Sequence, residues 1–284
     1  MTAASAWPVE LWWAVTGFVA LAGLCLGSFY NVCIWRIPRD ESIVWPGSHC
    51  PGCGHALGLW DNLPLVSWLG LRGKCRYCGG RISPRYFWVE LLTGALYTGL
   101  WLKWGWTWEA LAFAGFAGGL IVGSFIDFDH YILPDRITWG GMAYGLAAAW
   151  LVPGTHGMGP GERWASLADG AIGLAAGAGL LWAVGAVGKA VLKKDAMGLG
   201  DVKLLGAIGA MLGWKAVLFT ILASSLTGTV TGVALMALGK RELSGRIPYG
   251  PHLALGAVAW MFFGPEAVAW YWGVAQGGGG GGGW

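Results

Sequence analysis

The sequence predicts an all-α polytopic membrane protein: about eight transmembrane helices, with a soluble cytoplasmic loop between the first two. Three observations carry that expectation. Of the 284 residues, 56% are hydrophobic and 12% charged, whereas a soluble domain carries about a quarter charged residues; the mean hydropathy is +0.56. The apolar residues gather into runs close to the roughly 20 that a helix needs to cross a hydrocarbon layer ~30 Å thick. The basic residues sort to alternate connections between those runs, as the positive-inside rule describes.

The runs lie at about 10–32, 86–102, 107–126, 137–152, 165–188, 202–214, 216–238 and 253–273. The first follows a terminus with no Lys or Arg before Arg36, so it lacks the basic start of a secretory signal and reads as a retained helix. The sixth rises only ~20 Å and is expected to begin inside the membrane rather than at its surface. With the N-terminus outside, the inside connections are 33–85, 127–136, 189–203 and 239–252. They hold 15 of the 18 Lys and Arg, leaving Lys103, Arg163 and Lys215 outside. The 51 Gly and 21 Trp suit a closely packed bundle with aromatic belts at the interfaces. The chain thus divides into a first helix (1–32), a loop (33–85), a membrane core (86–275) and a Gly-rich tail (276–284), the last expected to be disordered. The expected surroundings are lipid, with no nucleic-acid partner.

The loop 33–85 is too small and too poor in aliphatic residues to fold on a core of its own. Cys50-Pro-Gly-Cys53 and Cys75-Arg-Tyr-Cys78 offer a staple. Two C-x2-C knuckles supply the four sulfurs of a tetrahedral zinc site, and four protein ligands leave no open position, so such a metal is structural. Gly54 and Gly79 follow the second Cys of each pair, where a turn would aim backbone amides at sulfur. Two disulfides or four free thiols are the alternatives; a reducing cytoplasm disfavours the first. Cys25 and Cys33 read as packing residues, and His49 and His55 as neighbours of the first knuckle rather than ligands.

Acids at a membrane boundary are costly to bury and point to function. One group is Asp127, Asp129 and Asp135, at the inner end of the third run; the other is Asp201, in Gly198-Leu-Gly200-Asp201-Val-Lys203. The topology puts both at the cytoplasmic boundary. Two facing carboxylates that share a proton can run aspartic proteolysis, one activating water and the other protonating the scissile carbonyl. Gly198 and Gly200 would let the backbone approach a substrate strand. Equally, Asp127, Asp129 and Asp135 can form a solvated loop face, with Pro134 and Asp135 starting the next helix. No H-E-x-x-H occurs, which excludes a zincin, and all five His lie in or beside loops. Glu90 lies near the start of the second run, where the helix dipole favours a carboxylate.

The whole pattern resembles the type IV prepilin peptidase family of G-x-G-D membrane aspartic peptidases, from about Gly27 to Pro251. The matches include Gly27-Ser-Phe-Tyr-Asn31, the four Cys, Asn62-Leu-Pro64-Leu-Val-Ser67 and Val89-Glu90-Leu-Leu-Thr-Gly94. They continue through Asp127-Phe-Asp129-His130 with Leu133-Pro134-Asp135, Gly198-Leu-Gly200-Asp201-Val-Lys203 and Ile247-Pro248-Tyr-Gly250-Pro251. The resemblance implies catalytic roles for Asp127 and Asp201, and short basic leaders of prepilins or pseudopilins as substrates. It also implies a bacterial inner-membrane location, and methylation of the new N-terminus by S-adenosylmethionine. Glu90 is then a candidate contact for the substrate amine or methyl donor, and Asp129, Asp135 and Lys203 are candidate supports for the pair. Phe87 departs from the family's usual Pro, and the stretch Pro153–Gly161 is longer than usual. The retained Cys favour the bifunctional form. The rivals are a non-enzymatic module whose zinc loop docks a secretion or assembly partner, and a peptidase that has lost methylation.

Overall fold

A computed structural model describes residues 8–193, 197–239 and 247–275. Its elements are α1 (Val9–Arg36), α2 (Val66–Gly70), α3 (Pro84–Trp104), α4 (Trp108–His130), α5 (Asp135–Leu151), α6 (Arg163–Leu192), α7 (Leu199–Ala237) and α8 (Gly250–Ala275). Among the described residues there is no strand, only the isolated bridges His49–Ala56 and Lys74–Arg81. The tail 276–284 and the basic residues Lys194, Lys240, Arg241 and Arg246 lie outside the described residues.

Every expected run is helical, and local chemistry sets the ends. Pro38 follows α1, and Asp40 turns the chain with φ 54°. The Ser83 hydroxyl accepts the Arg85 N–H (3.2 Å) with Pro84 beginning α3, and Thr107 does the same for Ala110 (3.2 Å) at α4, each satisfying an otherwise orphaned amide. Among the described residues five helices are long and apolar enough to cross a membrane: α1, α4, α6, α7 and α8. Two expected spans fall short of that standard. α5 has only 17 residues, and α3 carries Arg85, Glu90 and Lys103 among six aromatic residues.

The sixth and seventh runs are one element interrupted at Gly213, where φ 81° and ψ 172° leave helical space. A Cβ on Gly209 would lie 2.9 Å from Val217 Cγ2, although residues eight apart in a straight helix are separated by ~12 Å. The chain therefore folds back at Gly213, and α7 is two helices.

Small residues let these helices approach closely, as expected where lipid offers no hydrophobic drive to associate. Gly173 of α6 sits against the Gly209 backbone, Gly177 against Leu205, and Gly145 of α5 against Met211 (2.8 Å from its would-be Cβ). Around them Leu205, Ile208, Met211, Val217 and Leu253 are fully buried, while a second cluster of Ile34, Val89, Ile121 and Ile126 joins α1, α3 and α4. Outward, α1 exposes Trp13, Phe18 and Leu21, and the second half of α7 exposes Leu222, Leu226 and Val230. Apolar surface of this extent suits lipid, not water.

Candidate active site

Three helix ends meet at one end of the bundle. α4 runs one turn beyond the expected boundary at 126 and ends at His130, because the chain stays helical until Tyr131 turns left-handed (φ 56°) and donates its N–H to the Asp127 carbonyl at 2.9 Å. Asp127 is therefore a buried helical residue, 6% exposed, and the solvated-loop alternative fails for it. Its Oδ2 accepts the N–H of Gly250, the first residue of α8, at 3.0 Å. Asp201 lies in the first turn of α7, again helical rather than in a connection, and is half-buried.

Leu133 packs between the helix ends that carry the two acids. Its side chain lies 3.4 Å from the would-be Cβ of Gly123, 2.9 Å from that of Gly200 and 3.3 Å from that of Gly250, so one leucine packs on α4, α7 and α8 together. The expectation that Gly200 clears room for a substrate strand is corrected: Leu133 fills that room. At Gly198 a Cβ would lie 3.0 Å from Asp201 Oδ2, so glycine there leaves that carboxylate room. Gly200, against Leu133, immediately precedes Asp201, and Gly250, against the same leucine, bonds Asp127; two carboxylates facing each other there would oppose ionising both at once.

Asp129 and Asp135 are exposed and engaged elsewhere. Asp129 pairs with Arg85 at the start of α3, and Asp135 with Lys203 of α7 at 2.5 Å. These pairs tie the α4–α5 turn to its neighbours without entering the carboxylate pair. Lys203 also lies 5.7 Å from the Trp139 ring.

Glu90 sits two turns into α3, too deep for the first-turn dipole to explain it, and is 7% exposed. The Leu65 N–H donates to its Oε2 at 2.8 Å, and the Gly27 Cβ position is 2.7 Å from its Cα, so α1 closes over it.

The four loop cysteines come together. Their sulfurs lie within 4.8 Å of one another, with Cys50 and Cys78 3.9 Å apart. A disulfide needs ~2.05 Å; sulfurs around one zinc at about 2.3 Å stand roughly 3.8 Å apart. Gly54 (φ 71°) and Gly79 (φ 70°) occupy the left-handed turns expected of them, closing each knuckle through Gly54 N–H to Cys50 O (2.8 Å) and Gly79 N–H to Cys75 O (3.0 Å). Backbone N–H groups of Cys78 and Tyr77 aim at the Cys75 sulfur and pull its thiol down to about 7. The donor set fits a tetrahedral metal. His55 stacks on Tyr77 and His49 bonds the Gly47 carbonyl, so neither joins the sulfurs. Cys33 is buried in the core, whereas Cys25, also expected to pack, is exposed.

Sequence reasoning gave no role to Leu133, Gly250 or Arg85. Leu133 and Gly250 stood inside quoted motifs beside Pro134 and Pro251, but their meeting over Asp127 depends on α8 returning to α4.

Comparison with known proteins gives two family models in tandem. Residues 21–104 match the bacterial peptidase A24 N-terminal domain, and residues 114–233 match the type IV leader peptidase family. The chain is 42% identical to the prepilin leader peptidase/N-methyltransferase of Myxococcus xanthus, over 78% of this chain and 64% of that protein. It is 35% identical to the protein of the same name from Aeromonas hydrophila, over 91% of this chain and 94% of that one. For Pseudomonas aeruginosa the figures are 36%, 88% and 91%. No solved structure matches.

Proposed function

The chain belongs to the type IV leader peptidase family, and on that premise we propose that it is a membrane aspartic endopeptidase and N-methyltransferase. It removes the leader of prepilins or pseudopilins at the cytoplasmic face of a bacterial inner membrane, then methylates the new N-terminal amine. The observation that carries the peptidase assignment is that the helix ends bearing Asp127 and Asp201 pack together on Leu133, with Gly250 bonded to Asp127.

Asp127 and Asp201 form the catalytic pair. One carboxylate takes a proton from water as its oxygen attacks the scissile carbonyl carbon; the other gives its proton to the carbonyl oxygen. Collapse breaks the C–N bond and the amine leaves with a proton. The Gly250 N–H holds the Asp127 carboxylate still during this exchange. Arg85 and Lys203, by engaging Asp129 and Asp135, keep those acids from competing for the same proton.

Eight helical segments cross the membrane: α1, α3, α4, α5, α6, the two halves of α7, and α8, with the N-terminus outside. The break at Gly213 and the sorting of Lys and Arg support this count. Cys50, Cys53, Cys75 and Cys78 hold one structural zinc, which when bound rigidifies the loop over α1 and α3. S-adenosylmethionine supplies the methyl group. Incubating the purified chain with a synthetic prepilin and S-adenosylmethionine tests the assignment by mass spectrometry. Expected are a cleaved peptide and a further gain of one CH₂; an intact peptide after exhaustive incubation contradicts it.

A further inference from the structure

Asp127 takes its hydrogen bond from the first residue of α8, so its position depends on what holds that turn. The amides there are accounted for. Gly250 N–H goes to Asp127 Oδ2 (3.0 Å), Pro251 has none, and those of His252 and Leu253 both go to the Tyr249 carbonyl (3.0 and 3.1 Å). The turn thus offers one N–H outward, and the carboxylate takes it, as a helix N-terminus favours.

The side chains of Tyr249 and His252, on either side of that N–H, both reach the second half of α7. Tyr249 and Ser224 share a 2.7 Å hydrogen bond, and His252 Nδ1 lies 3.2 Å from Thr227 Oγ1. The direction of each bond follows from where the α7 hydroxyl protons go. Ser224 donates its proton to the Ile221 carbonyl (3.1 Å), and Thr227 donates its own to the Ala223 carbonyl (2.9 Å). Each oxygen is left to accept. Tyr249 therefore donates its O–H, and His252 donates from Nδ1, which fixes the protonated nitrogen of the imidazole.

Ser224 is fully buried and His252 nearly so. Hydrogen bonds of this kind hold one membrane helix against another where apolar contact alone gives little preference. Glycine keeps the two helices close. The imidazole Cγ and Cδ2 lie 3.9 Å from the would-be Cβ of Gly228, and that of Gly256 is 3.0 Å from the Thr220 carbonyl oxygen.

We propose that Tyr249 and His252 are positioning residues for cleavage: bonded to Ser224 and Thr227, they hold the first turn of α8 where Gly250 N–H meets the Asp127 carboxylate. The inference rests on the peptidase reading above. It gives α7 a part on both sides of the reaction, since its first half carries Asp201 and its second half sets Asp127 through α8.

Single-turnover and steady-state cleavage of a synthetic prepilin by the full chain in detergent tests this, with Tyr249→Phe, His252→Leu and His252→Asn made alone and in a Gly250→Ala background. Tyr249→Phe and His252→Leu are each expected to lower kcat about 3- to 10-fold, the rate equivalent of one hydrogen bond, with KM within about twofold. His252→Asn, whose amide N–H can stand where Nδ1–H does, is expected to recover kcat to within about twofold of wild type. In the Gly250→Ala background the same changes are expected to cost less than about twofold, because the contact they serve is already broken. Thr229→Val, which removes an exposed α7 hydroxyl bonded only to its own helix at Ser225, is the control and is expected to cleave as wild type. Should His252→Leu not fold, Tyr249→Phe, which loses one oxygen, decides. Folded variants with wild-type kcat, a rise in KM alone, or an undiminished loss in the Gly250→Ala background overturns the inference while the peptidase reading stands. A wild-type chain that does not cleave removes both.

Discussion

Replacing Gly250 by alanine perturbs the proposed pair without touching either acid. The added Cβ would stand 2.8 Å from Asp127 Oδ2 and 3.3 Å from Leu133 Cδ1. The first distance is about 0.6 Å short of ordinary contact, which begins near 3.4 Å, so the carboxylate must move. Moving it also strains the 3.0 Å bond from the Gly250 N–H, and a hydrogen bond to a charged group contributes ~1.5–3 kcal/mol. Displacements near 1 Å at reacting groups cost on the order of 100-fold in rate. Gly250→Ala should therefore lower single-turnover cleavage of a synthetic prepilin about 10- to 100-fold. Gly17→Ala serves as the control, since nothing lies within 4 Å of its would-be Cβ, and it should cleave as wild type. Activity of Gly250→Ala within twofold of wild type, at unchanged melting temperature, would refute the claim that this contact positions Asp127.

Elemental analysis should find one zinc per chain, because a loop without its own core folds on its metal; Cys50→Ser or Cys78→Ser should lose it and expose the loop to protease. Absence of zinc, or a mapped disulfide among the four Cys, contradicts the staple. A cysteine-accessibility map should place residues near 60 and 131 on the cytoplasmic side and residues near 105 and 157 on the other, whereas 60 and 131 on opposite sides would break the topology. Gly213→Ala should lower the melting temperature by an amount corresponding to about 1–3 kcal/mol or more, since it forces a side chain into φ 81° and against Asp169; unchanged stability would mean that the break does not depend on glycine.

The helices were legible because apolar runs of membrane length leave little choice, and even the split of α7 showed as a seam at residue 215, two residues from the break at Gly213. Helix ends were less legible. Apolarity falls at Asp127, but helicity persists to His130 because the chain leaves the helix only where Tyr131 turns left-handed, not at the first acid. The same error hid the burial of Asp127 and left its alternative as a loop residue open. The cysteine cluster was readable from spacing alone, since each knuckle is local. The surroundings of Glu90 were not. They depend on Leu65 meeting Glu90 across 25 residues, and on an unusual dihedral at Leu65 that no residue preference announces.

The central claim is that Asp127 and Asp201 act as one unit, and single-turnover cleavage by Asp127→Asn, Asp201→Asn and the double variant tests it most directly. Each single change should reduce the rate by at least about 10²–10⁴-fold, with zinc content and membrane insertion retained. The double variant should be hardly worse than either, because groups that act together are not additive. Asp129→Asn and Asp135→Asn should cost less, since those acids are held by Arg85 and Lys203. Near-wild-type cleavage by Asp127→Asn, with Asp129→Asn or Asp135→Asn inactive, would contradict the account.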